Sequence, residues 1–567
     1  MTGVAASGAG RFELRPQDPQ AARELGRAAG VDASIAQVLL HRGIADVGAA
    51  TAFLSPKLSD LTAPDAMADR KVAAERLARA VRAHERVVLF GDYDVDGTTS
   101  TAILAGILEE LGGDVTALVA NRFEGGYGLS EAALDRVLGT GATLLVTCDC
   151  GSSDHERVAR ARARGLDVIV VDHHLVPAEP LPVLAFLNPH RPECGFSYKG
   201  LSSAGLALSL GAAVRAELGA KLDVRRYLDL VALGTIADMV PLDGDNRRLV
   251  RAGLALLAAP VARPGIVVLR ELGKLKPGDA LSAVDVAFRM TPRLNAAGRL
   301  GDPSVTLALL RARTAAEARG LGAAIERLND ERKRIERDVT ASAMEQAREV
   351  YGEAPEHGIV VAARGWHRGV VGITAAKLVE RFGVPTVVVA LDDGGMGHAS
   401  CRAPEGSRLY DAVASCASEL ESFGGHQAAA GLVVREARVE ALRAAFSDTT
   451  RGKGGGTGPR ARVADVVLDG TTFGLPPARD LALLEPVGEG NAEPLWLVTG
   501  ARVAQSGVVG EGHLKMQLRV GRQTLSAFGW LLGARAPGLD TTVDVLGQLR
   551  PDTWRGGQAV ELRVVAL

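Results

Sequence analysis

Three aspartates stand at alternate positions in GDYDVDG: Asp92, Asp94 and Asp96, followed by Gly97. They close the apolar run Val87 to Phe90. Bare carboxylates beside a buried strand are costly unless a cation or a proton offsets them. A calcium loop of the D-x-D-x-D-G type would need a later Glu between flanking helices; here Leu104 holds that position and a strand leads in. The pattern then recurs. The run Leu144 to Cys148 ends in Asp149 with Gly151 behind it, and Val168 to Val171 ends in Asp172-His173-His174. Asp238 sits alone in the apolar segment VALGTIADMVPL, where an Asp is paired, helix-capping or bound to a metal.

Six carboxylates and two imidazoles at one site suit hard divalent cations such as Mg²⁺ and Mn²⁺. The imidazoles favour Mn²⁺, and no thiolate set points to zinc. Two such ions would activate a water and clamp the attacking and leaving oxygens of a phosphoryl group. The expected chemistry is metal-assisted hydrolysis of a phosphoester or phosphoanhydride.

These residues need a sheet to align them. Val87 to Phe90, Val115 to Ala120, Leu144 to Cys148 and Leu166 to Val171 read as strands. Between them Thr99 to Leu111, Glu131 to Leu138 and Ser153 to Arg164 read as helices, the last opened by a Ser153–Glu156 capping box. Continuous apolar strands alternating with helices predict an α/β fold with a buried parallel sheet. Ligands in such sheets lie beyond the carboxyl ends of the strands. Leu206 to Leu218 and Tyr227 to Ala237 read as further helices, and residues 311–350 as a solvated helix joining two domains. A second α/β pattern follows: strand Gly358 to Ala363, helix Val370 to Phe382, strand Thr386 to Leu391 and a helix near Leu409 to Leu420. RGKGGGTG (451–458) reads as a linker. Short strands beyond it, from Val463 to Val565, predict a small β-barrel or sandwich. Trp496, Phe528, Trp530 and Trp554 are its candidates for stacking on bases.

Composition narrows the class. The 567 residues are 47% hydrophobic, enough for ordinary cores, and exclude a disordered chain. Five Cys without a C-x-x-C pair exclude a disulfide scaffold and suit a reducing compartment. No secretory leader is legible, and no apolar run reaches the roughly 18 residues of a spanning helix. A cytoplasmic, multidomain protein without a membrane partner is expected. Lys and Arg total 65 against 67 Asp and Glu, and residues 455–567 carry 11 of each sign. Any grip on nucleic acid must therefore come from placed Arg residues rather than a basic shell.

In order along the chain, GDYDVDG, CDCG, VDHH and ALGTIADMVPL resemble the four motifs of the DHH phosphoesterases. PRLNAAGRL (292–300) and GGHQAAAG (424–431) resemble signatures of the RecJ branch and of the accessory DHHA1 domain, and the tail after 455 is similar to an OB-fold. The resemblance covers roughly residues 70–450 and implies a domain plan. That plan is a helical segment (1–70), a parallel-sheet DHH domain (71–245), a helical region with a long connecting helix (246–350), a second α/β DHHA1 domain (351–450), the linker, and an OB-like β-barrel (459–567).

The resemblance implies Asp94, Asp96, Asp149, His173 and Asp238 as metal ligands, with Asp92 and His174 in the catalytic set beside them. It implies contacts to substrate from Arg122, Asn295, Arg299, Ser400, Arg402 and His426. The implied activity is a 5′→3′ exonuclease on single-stranded DNA that uses Mn²⁺ or Mg²⁺, two ions per site, and releases 5′-mononucleotides in repair and recombination. A monomer assisted by single-strand-binding protein and a helicase is expected. A phosphodiesterase for short oligonucleotides or cyclic dinucleotides is the alternative; a scaffold with a decayed site conflicts with a complete set of ligand positions. Ser152-Ser153 after Gly151 depart from the family's usual hydrophobic residue, and a change confined to the helix cap is expected.

Overall fold

Alternate residues of the first sheet enter opposite helical layers. Val87, Leu89, Val146, Ile169 and Val171 pack on one side, and Val88, Phe90, Leu145, Val168 and Val170 on the other. That two-residue alternation, apolar at every position, is what a sheet covered on both faces demands. In the computed structural model the sheet has five parallel strands in the order Asp114–Val119, Arg86–Gly91, Leu144–Cys148, Asp167–Val171 and Ala185–Leu187. The structure describes residues 12–567 except 127, 426, 428, 452–461 and 553–555. The last strand is additional to the four expected; at three residues it leaves no period to read.

Two helix starts differ from expectation. The helix expected from Thr99 begins at Val95, because Asp94 caps it by accepting a hydrogen bond from the Gly97 N–H at 3.0 Å. The Ser153–Glu156 capping box does not form: the helix spans His155–Ala163 without a side-chain cap, and the Asp154 carboxylate accepts from the Leu129 N–H instead.

Helices Ser203–Glu217, Leu228–Ala237 and Gly244–Ala258 complete the first unit. A 37-residue helix, Ala315–Tyr351, then runs about 55 Å to the second. It is not solvated all round. Ala318, Gly322, Ile325, Asn329, Glu336, Val339, Ala343 and Ala347 form a buried stripe at helical spacing. The second unit has a mixed sheet in the order Ser422–Gly425, Ala429–Arg435, Met396–Arg402, Thr386–Leu391 and Ile359–Arg364. Only its last pair is parallel. The helix expected over Leu409 to Leu420 is shorter, Leu409–Ala414 followed by a 3₁₀ turn at Ala417–Glu419.

Linker residues 452–458 lie outside the described residues. Beyond them Trp496–Val509, His513–Val520, Gln523–Gly529, Val560–Ala566 and Thr542–Pro551 close into a five-stranded barrel, shut by pairing of its first and last members. The N-terminal helices do not stand apart from it. Phe12–Leu14 pairs in parallel with Arg462–Ala464, and Leu25, Ile35 and Leu39 share a core with Val466, Trp496 and Leu514. Arg247 fastens this unit to the first. Its buried guanidinium donates to the carbonyls of Phe53, Leu483, Leu484 and Pro486 and lies 3.7 Å from the Phe53 ring centre. Among the described residues no helix is long and apolar enough to cross a membrane, and all five cysteines are buried thiols.

Candidate active site

Register alone delivers the acidic cluster. Gly91, Cys148, Val171 and Leu187 are paired across four neighbouring strands, so Asp92, Asp149 and Asp172 leave the same sheet edge together. The ladder continues one bond further for each: Asp92 N to Cys148 O at 3.1 Å, Asp149 N to Val171 O at 2.9 Å, Asp172 N to Leu187 O at 3.0 Å. Asp96 lies one helical turn in, where both its oxygens accept backbone N–H groups of Ser203 (2.7 Å) and Ala204 (3.0 Å) at a helix N-terminus. Two glycines make the room. A Cβ on Gly97 would stand 2.5 Å from the Asp92 carbonyl oxygen, and one on Gly234 would stand 2.5 Å from Asp96 Oδ1.

Two groups of side chains converge closely enough to hold an ion: Asp96, His173 and Asp238, and Asp149, His173 and His174. His173 Nε2 lies 3.3 Å from both Asp149 Oδ1 and Asp238 Oδ2. The buried atoms Asp92 Oδ1, His173 Nε2 and Asp238 Oδ2 have no hydrogen-bond partner. Asp238 sits at the C-terminus of Leu228–Ala237, the end of a helix that disfavours a carboxylate. Converging acceptors without donors, in a donor set of carboxylate and imidazole, fit a hard divalent cation. Of the expected ligands, Asp94 falls outside both groups; it caps its helix while its charge acts on the cluster. Asp92 falls outside them as well, just behind.

Electrostatics give the same account. Burial, then the neighbouring aspartates, push Asp92 and Asp149 well above the ordinary carboxylate range, Asp96 up to about 7 and Asp238 up to about 9. The cluster cannot stay fully ionised without cations. Asp172 behaves oppositely. It accepts from His174 Nδ1 at 2.7 Å and from the Ser152, His173 and His174 N–H groups. Against the pull of burial on both, this pairing raises His174 to about 9 and holds Asp172 far below its usual value. Carboxylate, imidazole, then metal is the order in which such sites orient a ligand. Burial and His174 keep His173 down at about 4, so it is neutral and able to ligate.

Ser152, expected to act only in the cap, instead tethers Asp172 and accepts a hydrogen bond from Asn188. Asn188 also donates to the His174 carbonyl at 2.8 Å. Its only sequence signal is a place just after an apolar triplet.

A cluster of opposite sign faces this one. Arg299 comes from helix Thr291–Leu300 and donates to the Gly369 carbonyl at 3.1 Å. Burial, then Arg122, Arg332 and Arg402, bring its guanidinium down to about 10. Arg122 lies 4.3 Å from the Tyr93 ring centre, and Arg402 donates to Ser400 Oγ at 2.9 Å. Arg122 Nε and Arg332 Nε are buried without acceptors. Guanidinium groups gathered with spare donors suit an anion such as phosphate. Asn295 shares a cavity with Arg299 and Arg332. Arg332 escaped sequence reading because it lies among the interleaved charges of the long helix; Arg368, which burial and Arg122 shift downward, sits over the Phe123 ring. His426 lies outside the described residues. On the barrel Trp496 is fully buried and cannot stack on a base, whereas Trp530 is 63% exposed and stacks on His513. Trp554 lies outside the described residues.

Comparison with known proteins gives three domain matches: the DHH family, N-terminal domain, over residues 86–235; the DHHA1 domain over 356–456; and the RecJ OB domain over 464–566. The single-stranded-DNA-specific exonuclease RecJ of Bacillus subtilis is 32% identical over 565 residues, 98% of this chain and 70% of that protein. Its namesake from Salmonella typhimurium is 37% identical over 523 residues, 86% and 88% of the two chains. Among solved structures, RecJ from Thermus thermophilus in complex with Mn²⁺ superposes with a TM-score of 0.79 at 32% identity, covering 97% of this chain and 78% of that one. The same enzyme with Mg²⁺ gives 0.73 at 31% identity, covering 97% and 77%.

Proposed function

This chain belongs to the RecJ family of single-stranded-DNA-specific exonucleases, and on that premise we propose how its own residues do the work. It is a metal-dependent exonuclease acting on single-stranded DNA, with Mn²⁺ or Mg²⁺ as cofactor. The proposed reaction runs 5′→3′, releases 5′-mononucleotides and serves repair and recombination. The observation that carries this reading is the nearness of the acidic and arginine clusters: Arg122 acts on Asp92, and Tyr93 feels Asp92 and Asp94 on one side and Arg122 and Arg299 on the other.

Asp94, Asp96, Asp149, His173 and Asp238 would hold the ions, with His174 beside them. When bound, the ions supply Lewis-acid activation of water and neutralise charge on the phosphate. Asp172 fixes the His174 ring through Nδ1. Arg122, Arg299, Arg402 and Ser400 would receive the 5′-terminal phosphate and orient the next phosphodiester. Their donors also stabilise the charge that builds on it. Asn295 and His426 are proposed to contact the same strand. The barrel would hold DNA farther along, with the exposed Trp530–His513 stack as its platform.

The proposed boundaries are 1–70, 71–245, 246–350, 351–450 and 459–567, the first folding with the last. A cytoplasmic monomer fits a site built wholly from one chain. Single-strand-binding protein and a helicase are the proposed partners, because the enzyme consumes a strand that something must unwind and keep open.

One assay tests the core of this reading: 5′- and 3′-labelled single- and double-stranded DNA with Mn²⁺, Mg²⁺ or EDTA. Metal-dependent release of labelled mononucleotide from the 5′ end of single strands is expected. Mononucleotides released from the 3′ end first would overturn the polarity.

A further inference from the structure

A cavity of about 470 Å³ opens beside the acidic cluster. Its wall begins at Ile236 and Ala237, immediately before Asp238, and ends at Asn295, Arg299 and Arg332. Two large apolar side chains stand in it unburied: Met239 is 71% and Phe288 76% exposed. Both come from irregular backbone. Met239 has φ +60°, a conformation a non-glycine residue adopts at a cost of about a kcal/mol or more and that collects at functional sites. Phe288 lies in a π-helical turn, Val286–Met290, an element likewise concentrated at functional sites. Strain spent on exposing a thioether and a phenyl ring calls for an apolar, flat occupant.

The far end of the cavity says what is attached to that occupant. Arg299 and Arg332 are there; Arg332 Nε is buried without an acceptor, while its other two nitrogens donate to Glu336 and Asn329. An apolar slot ending in guanidinium donors matches a nucleobase carried on a phosphodiester. The volume is within the roughly 300–1,000 Å³ of ligand sites. Val487, Gly488 and Glu489, which lead into the barrel, form the opposite lip, so the slot lies where the catalytic and barrel units meet.

Resting on the exonuclease reading above, we infer that Met239 and Phe288 form a base-stacking slot that takes an unpaired nucleobase of the DNA strand beside the scissile phosphate. A base already paired and stacked in a duplex cannot enter it. The slot therefore contributes to strand selection as well as to affinity, and it is indifferent to base identity because every base offers a flat face.

The test couples protein to substrate. In the full chain, Phe288→Ala should lower kcat/KM on single-stranded DNA about tenfold or more, mainly through KM, while Phe288→Trp keeps most of it. An abasic site is then walked one nucleotide at a time from the 5′ end. At one position the parent enzyme should lose a similar factor, and Phe288→Ala should lose little more there, since the partner ring is already gone. Met239→Ala should show the same non-additivity at the same position. Full multiplication of the two losses at every position, with folding verified by circular dichroism, would sink the slot while leaving the exonuclease reading intact. Failure of the parent enzyme to digest single strands at all would instead remove the reading on which the slot rests.

Discussion

Two clusters of opposite charge line the same cleft, and they are assembled by different means. In the first, parallel register sends aspartates off one sheet edge, so the acids arrive as a group and burden one another. In the second, Ser400 and Arg402 lie on a strand in antiparallel company, and the other guanidiniums come from a loop, a helix and the long connector. The acidic cluster is complete only with cations. The arginine cluster instead holds buried donors without acceptors, which suit an anion. On the proposed reading, chemistry and grip are separable parts of one site.

Mutation should expose that separation. Asp149→Ala or His173→Ala should abolish cleavage, a loss of roughly three orders of magnitude or more, while fluorescence-anisotropy binding of single-stranded DNA changes only a few-fold. A parallel collapse of binding would show that grip depends on the ions. Arg402→Ala and Arg299→Ala should do the reverse. They should cost about ten- to a hundred-fold in kcat/KM, more on 5′-phosphorylated than on 5′-hydroxyl strands, with Mn²⁺ affinity preserved. Equal losses on both kinds of end would remove the 5′-phosphate from their role.

The smallest expected effect is on stability. Asp92, Asp96, Asp149 and Asp238 are raised in the folded, metal-free protein, as is His174; His173 and Asp172 shift the other way and are outnumbered. The folded state then binds more protons than the unfolded one, so stability falls as pH rises. For these groups it is fully present below the ordinary carboxylate pKa of about 4 and is lost up to about 9, where Asp238 titrates. Thermal melting in EDTA should show Tm decreasing across that window, and Mn²⁺ should raise Tm more at the alkaline end. A Tm that rises with pH in EDTA would contradict the crowding of these acids.

The acidic half of the comparison was legible because its signal is local: each acid follows an apolar run by one or two residues, and a parallel sheet must align such positions. The basic half was legible only through motifs that resemble a known family, and Arg332 not at all. On a helix with charges of both signs, nothing in spacing separates an arginine aimed into a cleft from one in solvent. Asp94 shows a second role hidden within a motif, since alternation alone does not reveal that its carboxylate also caps a helix. Ser152 shows another, because its partner Asp172 is 20 residues away in sequence. The short strand Ala185–Leu187 and the docking of the first helices on the barrel were illegible for the same reason. Long-range pairing leaves no period in the residues that make it.

That docking sets a timetable for synthesis. Phe12–Leu14 meets a partner, Arg462–Ala464, that lies 450 positions later in the chain. At about 5–20 residues per second, a ribosome needs roughly 20–90 s to supply it. Throughout that interval the apolar faces of the first helices, Leu25, Ile35 and Leu39 among them, have no barrel to cover them. The first residues of the nascent chain thus complete their fold only when the last domain emerges.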